Sequence, residues 1–411
     1  MNLFLICAVI SIIGMVLYLL QAGATYSLIK KNQTKPGFLP PGTSLPPVSI
    51  LKPLRGIDDN LFDNLSSFCT QDYPEYEILF SLQDHNDPAY KVAKKVQDKY
   101  PSRNIKIIVK RCNAGLNPKV NNLIPAYRES CHPYVLISDS NVMVDRNYLR
   151  EIMKHTGDPT VGLVSNVIRG IGGRSIGAIL ENLHLNSFII GSVSFLDRFL
   201  KMPCVVGKSM LMRKDDLDAI GGLAAFKDLL AEDFIIGREM QRTGKKVILS
   251  NYLISNVNEY WNIKRFLNRH TRWGKLRWQI GGAKYFSEIL VNPVFVSTLP
   301  LLFTGPSRET LSFAAVVGLS KVLGDFVIGK TIVSRSGDHR LRRPSPFIYL
   351  LAPVKDIIIG IVWFIPLLSS TVVWRGNRYL IGKDSRLLPC PATGFWSWGY
   401  RITDMIRARI A

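Results

Sequence analysis

Four short clusters in this chain carry residues whose types and spacing could do chemistry. In Ser138-Asp139-Ser140-Asn141 a carboxylate follows the apolar run Tyr134 to Ile137 within a short polar cluster. Asp139 and Asn141 there could offer oxygens to a hard divalent cation, Mg or Mn, that would neutralise a diphosphate. The same cluster would equally serve as an Asx turn or a helix cap. In Asn117-Pro118-Lys119-Val120-Asn121-Asn122 an Asn cap and a helix-starting Pro explain most of the residues, but not Lys119, whose ammonium could reach a phosphate or a ribose. Ala231-Glu232-Asp233-Phe234 opens an amphipathic helix with two acids. They complement the helix dipole, and a carboxylate fixed near a bound sugar could also act as a general base on an acceptor hydroxyl. Arg269, Arg272 and Trp273 fall at i, i+3, i+4 on one helical face, among Arg265, Lys275, Arg277 and Trp278. That helix reads as an interfacial anchor able to present Arg to a diphosphate and Trp to an acceptor.

Positioning these groups requires a scaffold, and the pattern upstream supplies one. Val48 to Leu51 reads as a buried strand, Asp59 to Cys69 as a helix, and Tyr76 to Leu82 as a strand ending at Gln83-Asp84. Ala89 to Tyr100 is helical, Ile105 to Val109 a strand, Asn121 to Ser130 helical, and Tyr134 to Ile137 a strand ending beside Asp139. Alternation of this kind implies an α/β domain with a mostly parallel sheet and right-handed crossovers. Ligands bind such sheets at the carboxyl ends of the strands, which singles out Asp84 and Asp139 among the acids. No GxGxxG follows a strand and no P-loop is present, so dinucleotide oxidoreduction and P-loop phosphoryl transfer lose support.

The composition places this domain at a lipid surface. The 411 residues are 47% hydrophobic, with a mean hydropathy of +0.12, and 52 Lys+Arg against 31 Asp+Glu leave a net charge of +21. Such a balance excludes an acidic partner-binding protein and points to anionic lipids, nucleic acid or phosphorylated ligands. Leu3 to about Leu20 carries no charge and can cross roughly 30 Å of hydrocarbon as an uncleaved anchor. Lys30, Lys31 and Lys35 follow it and place the next segment on the cytoplasmic side. Further uncharged windows run over 289–307 and 357–374. Residues 310–333 carry Lys321, Asp325 and Lys330 and form a weaker span or a helix lying against its neighbours. The window 347–374 contains Pro353, Lys355, Asp356 and Pro366, and spans once or folds back. A basic loop with Arg335, Arg340, Arg342 and Arg343 suits a cytoplasmic connection. The expected organisation is an anchor over 1–29, a basic and Pro-rich linker over 30–47, a catalytic domain over 48–260, an interfacial segment over 261–288, a membrane region over 289–374 and a basic tail over 375–411. Six scattered cysteines without a CxxC pair suit a reducing compartment rather than a disulfide framework. Aromatic and basic residues gather beside the apolar spans rather than along a soluble groove, which disfavours nucleic acid as a partner.

With Lys52-Pro53-Leu54-Arg55-Gly56, Gln83 to Ala89, Asn117 to Asn122, Asp139, Ala231-Glu232-Asp233 and Arg269-x-x-Arg272-Trp273 in this order, the chain resembles the ceramide glucosyltransferases, inverting membrane enzymes with the GT-A fold. The resemblance runs from about residue 48 to about 280 and resumes at Trp374 to Tyr379. It implies UDP-glucose as donor and the hydroxyl of ceramide as acceptor, joined at the cytoplasmic face of a bacterial inner membrane or a Golgi membrane. It makes Asp84 a contact for the uridine diphosphate, Asp139 the metal and diphosphate ligand, Asp233 the base, and Arg269, Arg272 and Trp273 the signature near diphosphate and acceptor. Lys119 joins the donor-binding set, and Cys204 and Gly207 of Cys204-Val205-Val206-Gly207-Lys208-Ser209 line the site. The chain departs from the family pattern at two points. Asn141 stands where a second acid would complete a DxD, so metal binding rests on Asp139 plus phosphate oxygens. A histidine of the animal enzymes has no counterpart near Ser192 to Asp197. A hopanoid or other lipid N-acetylglucosaminyltransferase shares most of the motif order, a processive polysaccharide synthase would use the same site, and a non-enzymatic membrane scaffold would explain the anchors and charge alone.

Overall fold

The computed structural model describes residues 3–30, 45–334, 344–374 and 376–390. Lys31, Lys35, most of the Pro-rich linker, the basic loop from Arg335 to Arg343, Arg375 and the tail beyond residue 390 lie outside them. The chain forms two compact units, Leu28–Ile171 with Leu196–Glu259, and Met1–Ser27 with Gly172–Phe195 and Tyr260–Ala411.

The first unit is built on an eight-stranded sheet. Its strands are β1 (Val48–Pro53), β2 (Tyr76–Leu82), β3 (Ile105–Val109), β4 (Tyr134–Ile137), β5 (Val142–Met143), β6 (Val161–Ile171), β7 (Met210–Arg213) and β8 (Lys246–Val257). They lie in the order β3-β2-β1-β4-β7-β6-β8-β5. β3, β2, β1 and β4 are parallel, and every residue of β1 and β2 is buried, which is why both strands are mostly apolar rather than strictly alternating, with Ser49, Lys52, Glu77 and Ser81 buried among them. β7 enters antiparallel between β4 and β6, and β6 pairs in parallel with β8, so the sheet is mixed beyond β4. The expected strands β2, β3 and β4 occur with the expected bounds, whereas β6, β7 and β8 carry no local signal as plain. The helices Pro118–Glu129 and Glu232–Arg242 bury Val120, Leu123 and Ile124 and Ile235, Ile236 and Met240 in one core with Leu51, Leu79 and Val135. That shared packing fixes where both helices begin.

Among the described residues four helices are long and apolar enough to cross a membrane: Leu3–Lys30, Ile176–Leu200, Arg308–Val333 and Pro346–Leu368. The first, the third and the fourth fall on windows expected from the sequence. The second does not, because Glu181 and His184 interrupt its apolar pattern. In the window 289–307 the helix is Pro293–Phe303, about 16 Å long at 1.5 Å per residue and bent by 71° from the helical stretch Ile263–Leu290, so that the pair forms either one broken span or a re-entrant loop. Pro293 starts that helix after the cap of Asn292, whose Oδ1 accepts from the Phe295 N–H. Four of the charges that weakened 310–333 and 347–374 as spans pair with one another. Lys321 lies 2.6 Å from Asp325, Lys355 lies 2.9 Å from Asp356, and cross-pairs at 3.5 and 3.6 Å close the ring. Tyr18 donates to Asp325 at 2.8 Å, and Lys355 donates to Ser187 at 2.9 Å. Beyond these helices Thr371–Trp374, Asn377–Ile381 and Leu387–Pro389 form a three-stranded antiparallel sheet.

In the sheet unit one buried acid fastens the amino-terminal edge. Glu77 accepts from Ser49 Oγ at 2.6 Å and from the Cys131 N–H at 2.8 Å, with the Lys106 ammonium at 2.7 Å. Burial alone would raise its carboxyl, but these donors hold it down at about 2 against an ordinary value of 4.5. A depressed carboxyl contributes stability that is complete above pH 4.5 and lost as pH falls through about 2. Glu77→Ala is expected to cost about 2–3 kcal/mol by stranding its donors, read as a lowered midpoint of thermal unfolding in detergent. An unchanged midpoint would show that these donors find other partners.

Candidate active site

The carboxyl ends of β4 and β1 and the start of β7 bring the site together. In the antiparallel pairing Ile137 lies opposite Met210, and carrying that register two residues onward sets Asp139 against Lys208. Lys208 Nζ lies 2.8 Å from Asp139 Oδ2 and donates to Asn141 Oδ1 at 2.8 Å. From β1, the fully buried Lys52 donates to the Asp139 carbonyl at 2.7 Å and lies over the Phe68 ring. Burial drives the Lys52 ammonium well below its ordinary range.

Lys119 enters from the helix Pro118–Glu129. Asn117 caps that helix, its Oδ1 accepting from the Lys119 and Val120 N–H groups. Its Nδ2 donates to Glu232 Oε2 at 3.1 Å, so one amide ties two helix starts together. Lys119 Nζ then sits 3.0 Å from Asp139 and 2.9 Å from Glu232, and donates to the Gly207 carbonyl at 3.1 Å. Burial by itself would lower this ammonium, but Asp139, Glu232 and Asp233 together lift it well above its ordinary value. For Asp139 the balance runs the other way: burial would raise the carboxyl, yet Lys119 and Lys208 hold it ionised far below the usual range.

Asp233 is the exception among these acids. Its Oδ2 accepts from the Gly207 N–H at 2.8 Å and its Oδ1 from the Phe234 N–H at 2.8 Å. Burial and the neighbouring Glu232 carboxylate nevertheless push it up to about 6, Lys119 only partly offsetting them. A carboxylate at that value exchanges protons near neutrality, which is what general-base work requires. Gly207 is needed for close approach, since a Cβ there would lie 2.5 Å from Asp233 Oδ2. Cys204 is half-buried, and burial, aided by Asp197 and Asp233, pushes its thiol up to about 11. It therefore lines the site as a neutral group rather than as a nucleophile.

The expected residues thus divide into three sets. Asp139, Asn141, Lys119, Gly207, Asp233 and Cys204 gather at one place. Asp84 lies on the exposed turn after β2, its Oδ1 accepting from the Asn86 N–H in an Asx turn. Arg269, Arg272 and Trp273 belong to the other unit, on the helix Ile263–Gly281. There Arg269 is buried, 3.1 Å from Glu181, with its guanidinium over Trp273 and Trp261, while Arg272 lies over the Trp374 ring. Glu232 and Lys208 complete the cluster without having been singled out as site residues. Glu232 was hidden behind its neighbour, and Lys208 depends on a strand register that no local pattern reveals. The oxygens of Asp139 and Asn141 are hard donors suited to Mg or Mn, and in this structure the Lys208 ammonium holds both, so an ion taking them would displace that side chain.

The Glycosyl transferase family 21 model matches residues 4–387. Ceramide glucosyltransferase 3 of Caenorhabditis elegans is 30% identical over 362 residues, covering 84% of this chain and 75% of its own length. Ceramide glucosyltransferase 1 of the same organism is 27% identical over 395 residues, covering 90% and 79%. Among solved structures, a mannosyltransferase from Pyrobaculum calidifontis superposes with a TM-score of 0.46 at 16% identity, covering 86% of this chain and 99% of its own.

Removing one partner from a buried ionic cluster leaves the others uncompensated. Lys119→Met is therefore expected to cost about 3–5 kcal/mol of stability, and Lys119→Arg markedly less, in denaturant unfolding followed by tryptophan fluorescence. Equal stability of Lys119→Met and the parent would mean that the acids are not held together by this ammonium.

Proposed function

The chain belongs to glycosyl transferase family 21, and from that membership and the geometry around Asp233 we propose that it transfers glucose from UDP-glucose to the hydroxyl of ceramide. In this reaction the lipid oxygen attacks the anomeric carbon from the face opposite the diphosphate. The new carbon–oxygen bond forms as the bond to UDP breaks, the configuration inverts, and the hydroxyl proton passes to Asp233. The observation that carries the proposal is the carboxyl of Asp233, lifted to about 6 and aimed by the Gly207 and Phe234 N–H groups. Its protonation range makes it ionised at neutral pH yet basic enough to accept a proton as attack proceeds.

Lys119 and Lys208 supply fixed positive charge beside Asp139, where the departing diphosphate would gather negative charge. Asp139 and Asn141 would hold a divalent cation, Mg or Mn, which adds positive charge for that same leaving group when bound. Asp84, exposed at the end of β2, is free to meet the uridine diphosphate from solvent. Arg272 is assigned to the diphosphate and Trp273 to the acceptor, with Arg269 holding their helix through Glu181. The charge following the first apolar helix favours a catalytic unit on the cytoplasmic side of the membrane.

Purified enzyme in nanodiscs, offered labelled UDP-glucose or UDP-N-acetylglucosamine with ceramide or a hopanoid, is expected to yield a monoglucosylated ceramide and no polymer. Asp233→Asn should lower kcat by about 100-fold or more while UDP still binds. Gly207→Ala should do the same by displacing Asp233. Because the base must be deprotonated, wild-type activity should fall about tenfold per pH unit below pH about 6. Lys119→Met should move that break to higher pH, since it deletes a charge that favours the carboxylate. Wild-type turnover by Asp233→Asn would remove the base assignment, and a product formed only with another donor or acceptor would replace the substrates.

A further inference from the structure

In the sheet unit, each of the four residues in the turn 206–209 makes a separate contact. The two central residues face the acids: the Gly207 N–H donates to Asp233 Oδ2 at 2.8 Å, and Lys208 Nζ lies 2.8 Å from Asp139 Oδ2. The Ser209 N–H closes the turn by donating to the Val206 carbonyl at 3.3 Å, and β6 holds both ends from behind. Ser165 Oγ accepts from the Val206 N–H at 2.9 Å, and Asn166 Oδ1 accepts from Ser209 Oγ at 2.7 Å.

Strand pairing puts these two residues of β6 within reach. β6 and β7 pair as far as Ser165 opposite Met210, so the turn stands just past the last paired residue, beside the stretch of β6 that runs on. There the pairing of β6 with β8 shifts register, the step from Asn166 to Ile168 facing the longer step from Ser250 to Ile254. Within that irregularity Asn166 Nδ2 donates to the Tyr252 carbonyl at 3.1 Å, which leaves its Oδ1 for Ser209. Ser165, Asn166 and Ser209 are fully buried. The ladder uses only their backbones, and a buried hydroxyl or amide costs free energy unless it is bonded, so the sheet by itself gives no reason for Ser-Asn between Val164 and Val167. The turn gives one. We propose that Ser165 and Asn166 are positioning residues for the transfer reaction, acting through the turn 206–209. Ser165 keeps the Gly207 N–H aimed at Asp233, and Asn166, through Ser209, keeps Lys208 beside Asp139. Their roles rest on the reading of Asp233 as base and of Lys208 as a charge for the diphosphate.

The two links predict different defects, read on the full chain in nanodiscs by the pH dependence of sugar transfer and by calorimetry with UDP. Ser165→Ala strands the Val206 N–H and loosens Gly207 from Asp233. Because that N–H favours the carboxylate, the acid-side break should move to higher pH by about one unit, cutting activity at pH about 6 roughly fivefold relative to the plateau, with UDP affinity unchanged. The charged groups that face Asp233, Lys119 and Glu232, are untouched by this variant. Ser165→Thr keeps the hydroxyl and should keep the wild-type break. Ser209→Ala cuts the bonds to Asn166 and Tyr148 and should weaken UDP about fivefold without moving the break. Tyr148→Phe, which leaves Asn166 bonded to Ser209, should bind UDP as the wild type does. A wild-type break in Ser165→Ala, or a shift as large in Ser165→Thr, would overturn the role of Ser165. Wild-type UDP affinity in Ser209→Ala, or an equal loss in Tyr148→Phe, would overturn that of Asn166. Turnover by Asp233→Asn would instead remove the base while the UDP measurements still decide the turn, and an inactive Asp233→Asn beside unaltered serine variants would keep the base and remove both positioning roles.

Discussion

Three carboxylates can share a cleft shielded from water only if positive charge stands among them, and Lys119 is placed at the point where Asp139, Glu232 and Asp233 converge. Much of the sheet unit serves that placement. Asn117 fixes the first turn of the helix carrying Lys119 and at the same time grips Glu232, while the core beneath both helices leaves neither start free to move. The uneven sharing of one ammonium among three acids separates their protonation. Asp139, with two lysines, stays ionised, while Asp233, with two backbone N–H groups, is left near neutrality.

The apolar-helix unit solves a related problem with the opposite outcome. Lys321, Asp325, Lys355 and Asp356 would each be costly in hydrocarbon alone. As two cations and two anions in contact they cancel, and the hydroxyls of Tyr18 and Ser187 take up further hydrogen-bonding capacity. Gly360 lets the helix Ala352–Val362 approach closely, since a Cβ there would collide with the Phe295 ring. Arg269 and His270 share Glu181 in the same way, so the basic face that suggested a membrane-surface helix is partly turned inward.

Legibility followed the range of the interactions. β2 and β4 were readable because burial on both faces writes a mostly apolar run, β3 because its short apolar stretch Ile105 to Val109 stands between helical patterns, and Asn117 because a cap is a local device. Asp139 and Asp233 were readable as the acids at element ends. Lys208 was not, because it reaches Asp139 just before an antiparallel strand, Met210–Arg213, that is far from β4 in the chain and whose direction no neighbouring residue records. The helix Ile176–Leu200 was hidden by the very charges that make it useful, since Glu181 reads as a break until Arg269 and His270 are placed beside it. In the window 289–307 the missing charge was legible but the bend was not: Pro293 and the Asn292 cap start a new helix there at 71° to the one before it.

A shared ammonium also makes the site thermodynamically reciprocal. Whatever anion draws Lys119 toward itself weakens its hold on Asp233 and raises that carboxyl's affinity for a proton, and by linkage a proton on Asp233 frees Lys119 to grip the anion harder. Anion arrival should therefore be accompanied by fractional proton uptake near pH 6, so that the heat of binding varies with the ionisation enthalpy of the buffer. A cation taking the oxygens of Asp139 would act with the opposite sign, so the charge state of Asp233 would follow whatever occupies the cleft.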